Sequence, residues 1–529
     1  MREQIKALSR ETLIYGATTV VGRFLNFLLV PFYVSVLDPK MYGVSASMYT
    51  YISFAGIFYT MGLEAAYFRY ASRGDGEQRS AEEEKRLFSG PFLFVLIFGG
   101  MLSALIIFIA PWIVQPVFHD PKVNITQWIP AFTQILRWSA LIVLLDSLNV
   151  IPFAALRIDR RAKWFGAIRL TGIVITLVLN IVLIVVLHKG VVAIFFANLI
   201  ASAAMLVMLA PTIARRFEFS ISRPVMKKLM PFGLTNVPAY LSAMMVQVID
   251  RPIVQAYLGL AMLGVYQANY RMGIVMMVFV SLFEYAWRPF FLRESRTNDE
   301  RARLLFSRVF TYFMLIACLA FLALSLFLPE VLTVRIPLFH HAIFQNKDYL
   351  LGLDIIPVVL AAYIFQGMYT NFIAGIYIKE HNKVLPFITG LGAAVNIIAN
   401  ILLIPSIGIM GAALATLFAY VAMAAAIYWQ VQKVYYVKYD WRRVGLVGAL
   451  TLAGFGLTKA IRLIGPIGPM ILDQLAIFLL VVGALFLFGF FSKGEIQALR
   501  QMLRFSGPTV PVNVPPEPLE AAARRREGG

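Results

Sequence analysis

Charge is what this chain has least of. Only 14% of its 529 residues are Asp, Glu, Lys or Arg, where a soluble domain carries about 25%. Hydrophobic residues make up 60% and the mean hydropathy is +0.76, which excludes an ordinary globular protein. Cysteine is reduced to Cys318, set inside an apolar run, so no disulfide framework exists. The five histidines, His119, His188, His340, His341 and His381, are scattered over loops and run ends. The adjacent pair His340 and His341 has no further ligand beside it, so no metal site is expected. A glycine-rich loop ending in Lys-Ser/Thr is missing, which leaves the chain without an ATPase of its own. No cofactor is expected. No small-residue cleavage site follows a short apolar core, so the first apolar run reads as retained.

What the chain has is apolar length. A helix of about 20 apolar residues crosses a bilayer. Fourteen such runs lie at roughly 12–36, 43–68, 88–113, 131–154, 165–188, 190–213, 231–258, 262–287, 309–332, 352–377, 384–405, 408–431, 443–464 and 470–492; they are called spans 1 to 14 below. They are apolar on all sides rather than alternating, so each must satisfy its backbone as a helix. The net charge of +19 suggests nucleic acid only until its placement is read. Of the 47 Lys and Arg, 35 fall in the termini and every second connection and 6 in the opposite connections. This positive-inside bias predicts a multi-pass protein with both termini cytoplasmic, whose basic residues meet anionic membrane lipids and not nucleic acid. The first ten residues and Lys493 to Arg504 read as interfacial helices. The Pro-rich tail from Gly507 onward reads as disordered.

The chain repeats itself. At an offset of 221, Pro31, Leu37, Met41, Gly43, Val44 and Tyr49 match Pro252, Leu258, Met262, Gly264, Val265 and Tyr270. At 220, Asn180, Ile181, Leu183 and Ile184 match Asn400, Ile401, Leu403 and Ile404, and at 218 Gly190, Ala197 and Leu199 match Gly408, Ala415 and Leu417. Six spans separate the copies, an even number, so the repeat is parallel. Two bundles related in this way around a central cavity are a transporter plan. The expected fold is therefore an all-α polytopic membrane protein with two six-helix lobes, 1–216 and 217–437. Spans 13 and 14 follow over 438–492, and a cytoplasmic segment over 493–529.

Three stretches carry a family resemblance: GRFLNFLLVPFYVSVLDPKMYGV from Gly22, PFGLTNVPAYLSAMMVQVIDRPIVQAYLGLAMLGVYQANYRM from Pro231, and VNIIANILLIPSIGIMGAALATLFAY from Val395. They resemble the polysaccharide transporter branch of the MOP exporter superfamily, the Wzx-type lipid-linked oligosaccharide flippases, in order over about residues 10–495. The glycines and alanines of the third stretch are read as packing residues that let backbones approach. The resemblance implies a bacterial inner-membrane flippase that works as a monomer and is not an enzyme. Its substrate would be an O-antigen-like or other polysaccharide repeat unit on undecaprenyl pyrophosphate. Polymerase and glycosyltransferase partners are implied too. The resemblance also implies that spans 1, 2, 7 and 8 line the cavity.

Ionisable residues inside a membrane are costly and face a polar interior. A pyrophosphate needs fixed positive partners, and arginine supplies them bidentately. Arg23, Arg251 and Arg271, on spans 1, 7 and 8, are the candidate headgroup ligands. The competing role for Arg251 is neutralisation by Glu64 or Glu284; Asp250 points about 100° away on the helix and is not its automatic partner. Glu64, Asp250 and Glu284 are candidates for binding a proton or sodium ion that drives transport, against a role as counter-charges. Tyr266 and Tyr270 are candidates for stacking on sugar rings, against a role in packing. Arg137 and Asp146 lie about 13 Å apart along span 4, with Arg137 placed to snorkel. Lys459 and Asp473 are expected to pair span 13 with span 14, or to sit near a span end.

Three other functions stay open. A MATE-type drug or cation antiporter has twelve helices as a rule, two fewer than here. A peptidoglycan-precursor flippase has fourteen, but with more arginine around spans 1 and 2. A membrane polymerase or ligase of the same lipid-linked sugars tends to carry a large outer loop, whereas no connection here exceeds about 20 residues.

Overall fold

The computed structural model describes residues 22, 29–72, 80–295, 299–333, 335–336, 341–464, 470–492 and 494–497. Apart from a two-residue antiparallel ladder, Arg335–Ile336 with His341–Ala342, the regular structure described is helical. Span 1 ends as α1 (29–36). Span 2 is α2 (Pro39–Thr60) and α3 (Leu63–Ala71); span 3 is α4 (Ala81–Phe94), a π-turn and α5 (Gly100–Val117); spans 4, 5 and 6 are α6 (Ile129–Ile158), α7 (Ala162–Ile181) and α8 (Val192–Arg216). The second lobe opens with α9 (Arg223–Val248), α10 (Asp250–Met272) and α11 (Ile274–Glu294), and continues through α12 (Asp299–Thr333), α13 (Ile355–Ile378), α14 (Leu385–Ile407) and α15 (Ile409–Val434). Spans 13 and 14 are α16 (Trp441–Ile464) and α17 (Met470–Leu487).

Among the described residues, twelve helical stretches are long and apolar enough to cross a membrane. They are spans 3 to 14, once the stretch Arg223–Met272 is divided at Gly259, whose φ of 86° breaks α10. Span 7 therefore runs through α9 into α10 as far as Leu258, and span 8 starts at Leu260 and continues through α11. Span 2 is kinked at Met61 and Gly62, both left-handed. It falls outside the twelve because it is shorter in apolar run and richer in polar residues, as a cavity wall must be. Most of span 1 lies outside the described residues, as do the N-terminal ten residues and the chain beyond residue 497.

The repeat is visible in the backbone. Arg160 and Glu380, 220 apart, both take a left-handed φ, 55° and 54°. Each sits in the turn after an inner helix, and each turn closes with the same bond: Arg161 N to Leu156 O and His381 N to Ile376 O, both 2.9 Å. The repeat-related glycines Gly43 and Gly264 meet where α2 crosses α10 near the outer end. A Cβ on Gly43 would lie 1.9 Å from the Leu260 carbonyl oxygen, and one on Gly264 would lie 1.8 Å from that of Pro39. Only glycine permits this approach. At the other end, Gly233 of α9 packs its backbone against the Met61 carbonyl. Span 2 thus touches the second lobe at both ends, and the space between is left for a site.

Spans 13 and 14 pack on α12 of the second lobe, not on each other alone. Glu330 of α12 accepts from Arg462 and from Gln474, both at 3.2 Å. The expected Lys459–Asp473 pair is corrected: Lys459 bonds Asp354, ahead of α13, at 2.5 Å, because α16 faces the start of span 10 at its outer end. Behind span 14, Ser492 caps the next helical turn and Glu495 returns the bond, a capping box. Burial opposes ionisation of Glu495, but bonds from Tyr312, Ser492 and Arg443 outweigh it and hold its carboxyl at about 2.

Candidate transport cavity

A cavity of about 600 Å³ lies within the first lobe. Its walls are α1 and α2 on one side and α6, α7 and α8 on the other, and span 8 of the second lobe closes it. Polar groups reach it at helical spacing. Span 2 contributes Tyr42, Ser45, Tyr49 and Ser53, span 4 Asp146 and Asn149, and span 5 Arg169 and Thr176; span 8 adds Gln267 and Arg271. A second space of about 460 Å³ shares Ser53, Asp146 and Val150 with the first and extends between the lobes to Glu64, Tyr240 and Gln247.

Two guanidinium groups face the first cavity, and neither has an ion pair or hydrogen bond recorded to a described residue. Arg271 sits mid-membrane on span 8. Arg169 lies over the rings of Phe153, at 4.6 Å, and Phe165, at 5.7 Å, which anchors one face of its plane by cation–π attraction. The one carboxylate in the wall, Asp146, accepts from the Ser202 hydroxyl at 2.6 Å. With two arginines and one aspartate the cavity carries a formal charge of +1. Fixed cations in a chamber of low dielectric surroundings attract an anion far more strongly than they would in bulk water. Tyrosines and amides supply the neutral donors and ring faces that a carbohydrate uses.

The expected site residues divide. Arg271 is in the cavity. Arg23 lies outside the described residues. Arg251 is not in the cavity: it is buried in the second lobe, 6% exposed, and the expectation about its partner is corrected. Its long side chain curls back along the helix, so that Nη1 bonds the adjacent Asp250 at 2.5 Å as well as the Gln247 carbonyl, while Nε donates to Gln267 at 3.3 Å. Neither Glu64 nor Glu284 is its counter-charge. The hydroxyl of Tyr266 donates to the other Asp250 oxygen, and the ring of Tyr270 lies 4.4 Å from the guanidinium. Tyr363 donates to the Tyr270 hydroxyl at 3.3 Å. Tyr266 and Tyr270 are therefore brought together, but as the walls of an ion-pair box; in this conformation they offer no face to a sugar.

The three carboxylates are not brought together. Glu64 bonds Arg157 and lines the space between the lobes, with both side chains well solvated. Asp250 is sealed with Arg251. Glu284 faces a chamber of about 40 Å³ beside Arg288 and Tyr369. Sequence reasoning missed Arg169 and gave Asp146 no role. A signal for Arg169 was there: Arg169, Gly172, Ile173 and Thr176 fall at i, i+3, i+4 and i+7, one small and polar face of span 5.

The fold has known counterparts. Structural similarity extends to the lipid II flippase MurJ in an inward closed conformation, at a TM-score of 0.69 and 14% identity, covering 93% of this chain and all of that one. A multidrug resistance MATE family transporter of the MOP superfamily, inward-facing, matches at 0.62 and 15%, covering 81% of this chain and 96% of that chain. The MATE transporter VcmN of Vibrio cholerae matches at 0.55 and 15%, with the same coverage. At such identities the likeness establishes the fold. No curated protein matches the chain in sequence. The family profile described as polysaccharide biosynthesis protein matches residues 35–337, more than half of the chain. The chain thus belongs to the polysaccharide biosynthesis protein family, and it is built on the fold of the MOP superfamily transporters.

Proposed function

We propose that the protein is a flippase. It would carry an oligosaccharide repeat unit on undecaprenyl pyrophosphate from the cytoplasmic to the outer leaflet of a bacterial inner membrane by alternating access of its two lobes. The observation that carries this reading is Arg271, without a salt bridge among the described residues, in a cavity of net positive charge that also holds Arg169, Asp146, tyrosines, amides and hydroxyls. A pyrophosphate satisfies the arginine, and a sugar chain uses the rest. A MATE-type cation antiporter fits less well, because a cavity of charge +1 repels its substrate. The orientation, with both termini cytoplasmic, rests on the distribution of Lys and Arg. Coupling to a proton or sodium ion is assigned to Glu64. Of the three candidate carboxylates, it is the one that faces the space between the lobes, and it would exchange Arg157 for the ion. Polymerase and glycosyltransferase partners, and a monomeric state, complete the proposal.

A peptidoglycan precursor is the second reading, favoured by the fold likeness to MurJ over 93% of this chain. Lipid analysis after depleting the protein from its host separates the two. Accumulated undecaprenyl-pyrophosphate oligosaccharide with loss of one surface polysaccharide supports the first reading. Accumulated peptidoglycan precursor with cell lysis supports the second. An unchanged lipid-linked pool overturns both.

A further inference from the structure

We propose that Arg169 is a second anion ligand of the transport site, so that the phosphate-bearing part of the substrate is held inside the first lobe, between Arg169 and Arg271. This rests on the flippase reading and extends it to a residue outside spans 1, 2, 7 and 8.

The ordinary role of an arginine eight residues into a span is to snorkel to the nearer face. Arg169 is roughly 10 Å along α7 from the helix start, within reach of the cytoplasmic interface. Its surroundings point the other way. The side chain lines the 600 Å³ cavity together with Asp146, Asn149, Asn198 and Arg271. Phe153 and Phe165 hold the guanidinium plane by its face, which leaves the N–H edge for a ligand, the edge with which arginine forks a phosphate. Asp146 is in the same wall and accepts from Ser202; it and Glu64 act on Arg169 through space, but neither is within salt-bridge distance of it, so the N–H edge stays open. Arg157 makes the contrast: it lies at the cytoplasmic side of the same lobe and is paired with Glu64. An arginine that a protein keeps inside the membrane, oriented and with no salt bridge to a described residue, is suited to an anion.

The arrangement carries a mechanical consequence. Arg169 belongs to the first lobe and Arg271 to the second, so one anion held by both ties the lobes together around the cavity. Release then requires the two arginines to separate, which is what a change of access does.

The test uses full-length protein in phosphatidylcholine nanodiscs, with farnesyl pyrophosphate as the probe and farnesol as the control for its chain. Wild-type protein is expected to bind farnesyl pyrophosphate and to show little response to farnesol. Arg169→Gln should lose affinity at least about tenfold, the worth of one charge-assisted bond, Arg271→Gln at least as much, and Arg169→Lys should recover part of the loss. The unliganded melting temperature of each variant is read alongside, and Arg169→Lys carries the test if Arg169→Gln does not fold. Wild-type affinity in Arg169→Gln, with binding lost in Arg271→Gln, overturns the assignment and leaves the flippase reading standing. A wild-type protein that does not distinguish the pyrophosphate from the alcohol overturns the reading itself.

Discussion

The two lobes share a backbone plan and use their polar residues in opposite ways. In the first, Asp146, Arg169 and the amides around them stand apart, facing a cavity. In the second, Asp250, Arg251, Gln267 and Tyr266 bond to one another and leave no space. Positions 220 later than Asp146 and Arg169 are Gln366 and Thr389, so the second copy lacks the charges of the cavity wall. One lobe thus holds the cavity, and the other holds a buried ion pair, Asp250 with Arg251, closed off from it. Span 8 joins the two roles: Gln267 reaches both the box and the cavity, and Arg271, four residues on, reaches the cavity alone.

The comparison breaks most visibly at the aspartates. Asp250→Asn removes the counter-charge of a buried arginine, and breaking such a pair costs about 3–5 kcal/mol. Its thermal unfolding in detergent should fall sharply, and replacing Asp250 and Arg251 together by apolar residues should restore most of the loss. Asp146→Asn leaves no salt bridge broken and keeps its Ser202 partner, so the melt should move by less than about 1 kcal/mol. Equal destabilisation by the two changes would show that the lobes do not differ in this way.

Next in size is the outer crossing. Gly264→Ala places a methyl on the Pro39 carbonyl, and backbone cannot yield as a side chain does. The overpacking cost of about 1–3 kcal/mol falls on the arrangement in which the outer ends touch. The variant should therefore populate an outward-open form, read as faster labelling of a cysteine introduced at Ser45 by a membrane-impermeant reagent. Wild-type labelling would mean that the crossing does not gate the cavity.

Much of this architecture was legible before any coordinates. The helical spans and the parallel repeat follow from hydropathy and from matches at 218 to 221, while the placement of Lys and Arg gives the orientation as an expectation. The sequence offers Arg271 as a headgroup candidate because a charge inside a span is costly, against a place near a membrane face, and the structure sets it in the cavity wall. Arg169, near a span end, is not among the sequence candidates. Asp250 and Arg251 were misjudged for a geometric reason: adjacent Cβ atoms on a helix diverge by about 100°, and a side chain as long as arginine's erases that divergence. The capping of span 8 could not be read at all, since its partner comes from the other lobe.

That cap supplies the smallest and most discriminating test. Asp38 begins span 2 and accepts from the Met41 amide at 2.8 Å, an N-cap within its own lobe. The residue 221 later is Gly259, which has no side chain to do this. Asp120, from the connection after span 3, takes the position instead and accepts from the Leu260 amide at 2.9 Å. A Cβ on Gly259 would sit 2.6 Å from that carboxylate, so the glycine both frees the backbone to turn at φ 86° and admits the aspartate. Beside it, Gln255 donates to the Val117 and His119 carbonyls at 3.0 and 3.1 Å. Each cap is worth about 1 kcal/mol, so Asp38→Ala and Asp120→Ala should lower the melt to a similar small extent. They should differ in access. Asp38→Ala loosens one helix end within a lobe, whereas Asp120→Ala also removes a bond between lobes at the outer face. Labelling at Ser45 should therefore rise by up to about fivefold in Asp120→Ala, the factor that 1 kcal/mol allows, and stay at the wild-type rate in Asp38→Ala. An equal response of both variants would make the borrowed cap a matter of helix stability alone, and the outer face would then be held by the glycine crossing without it.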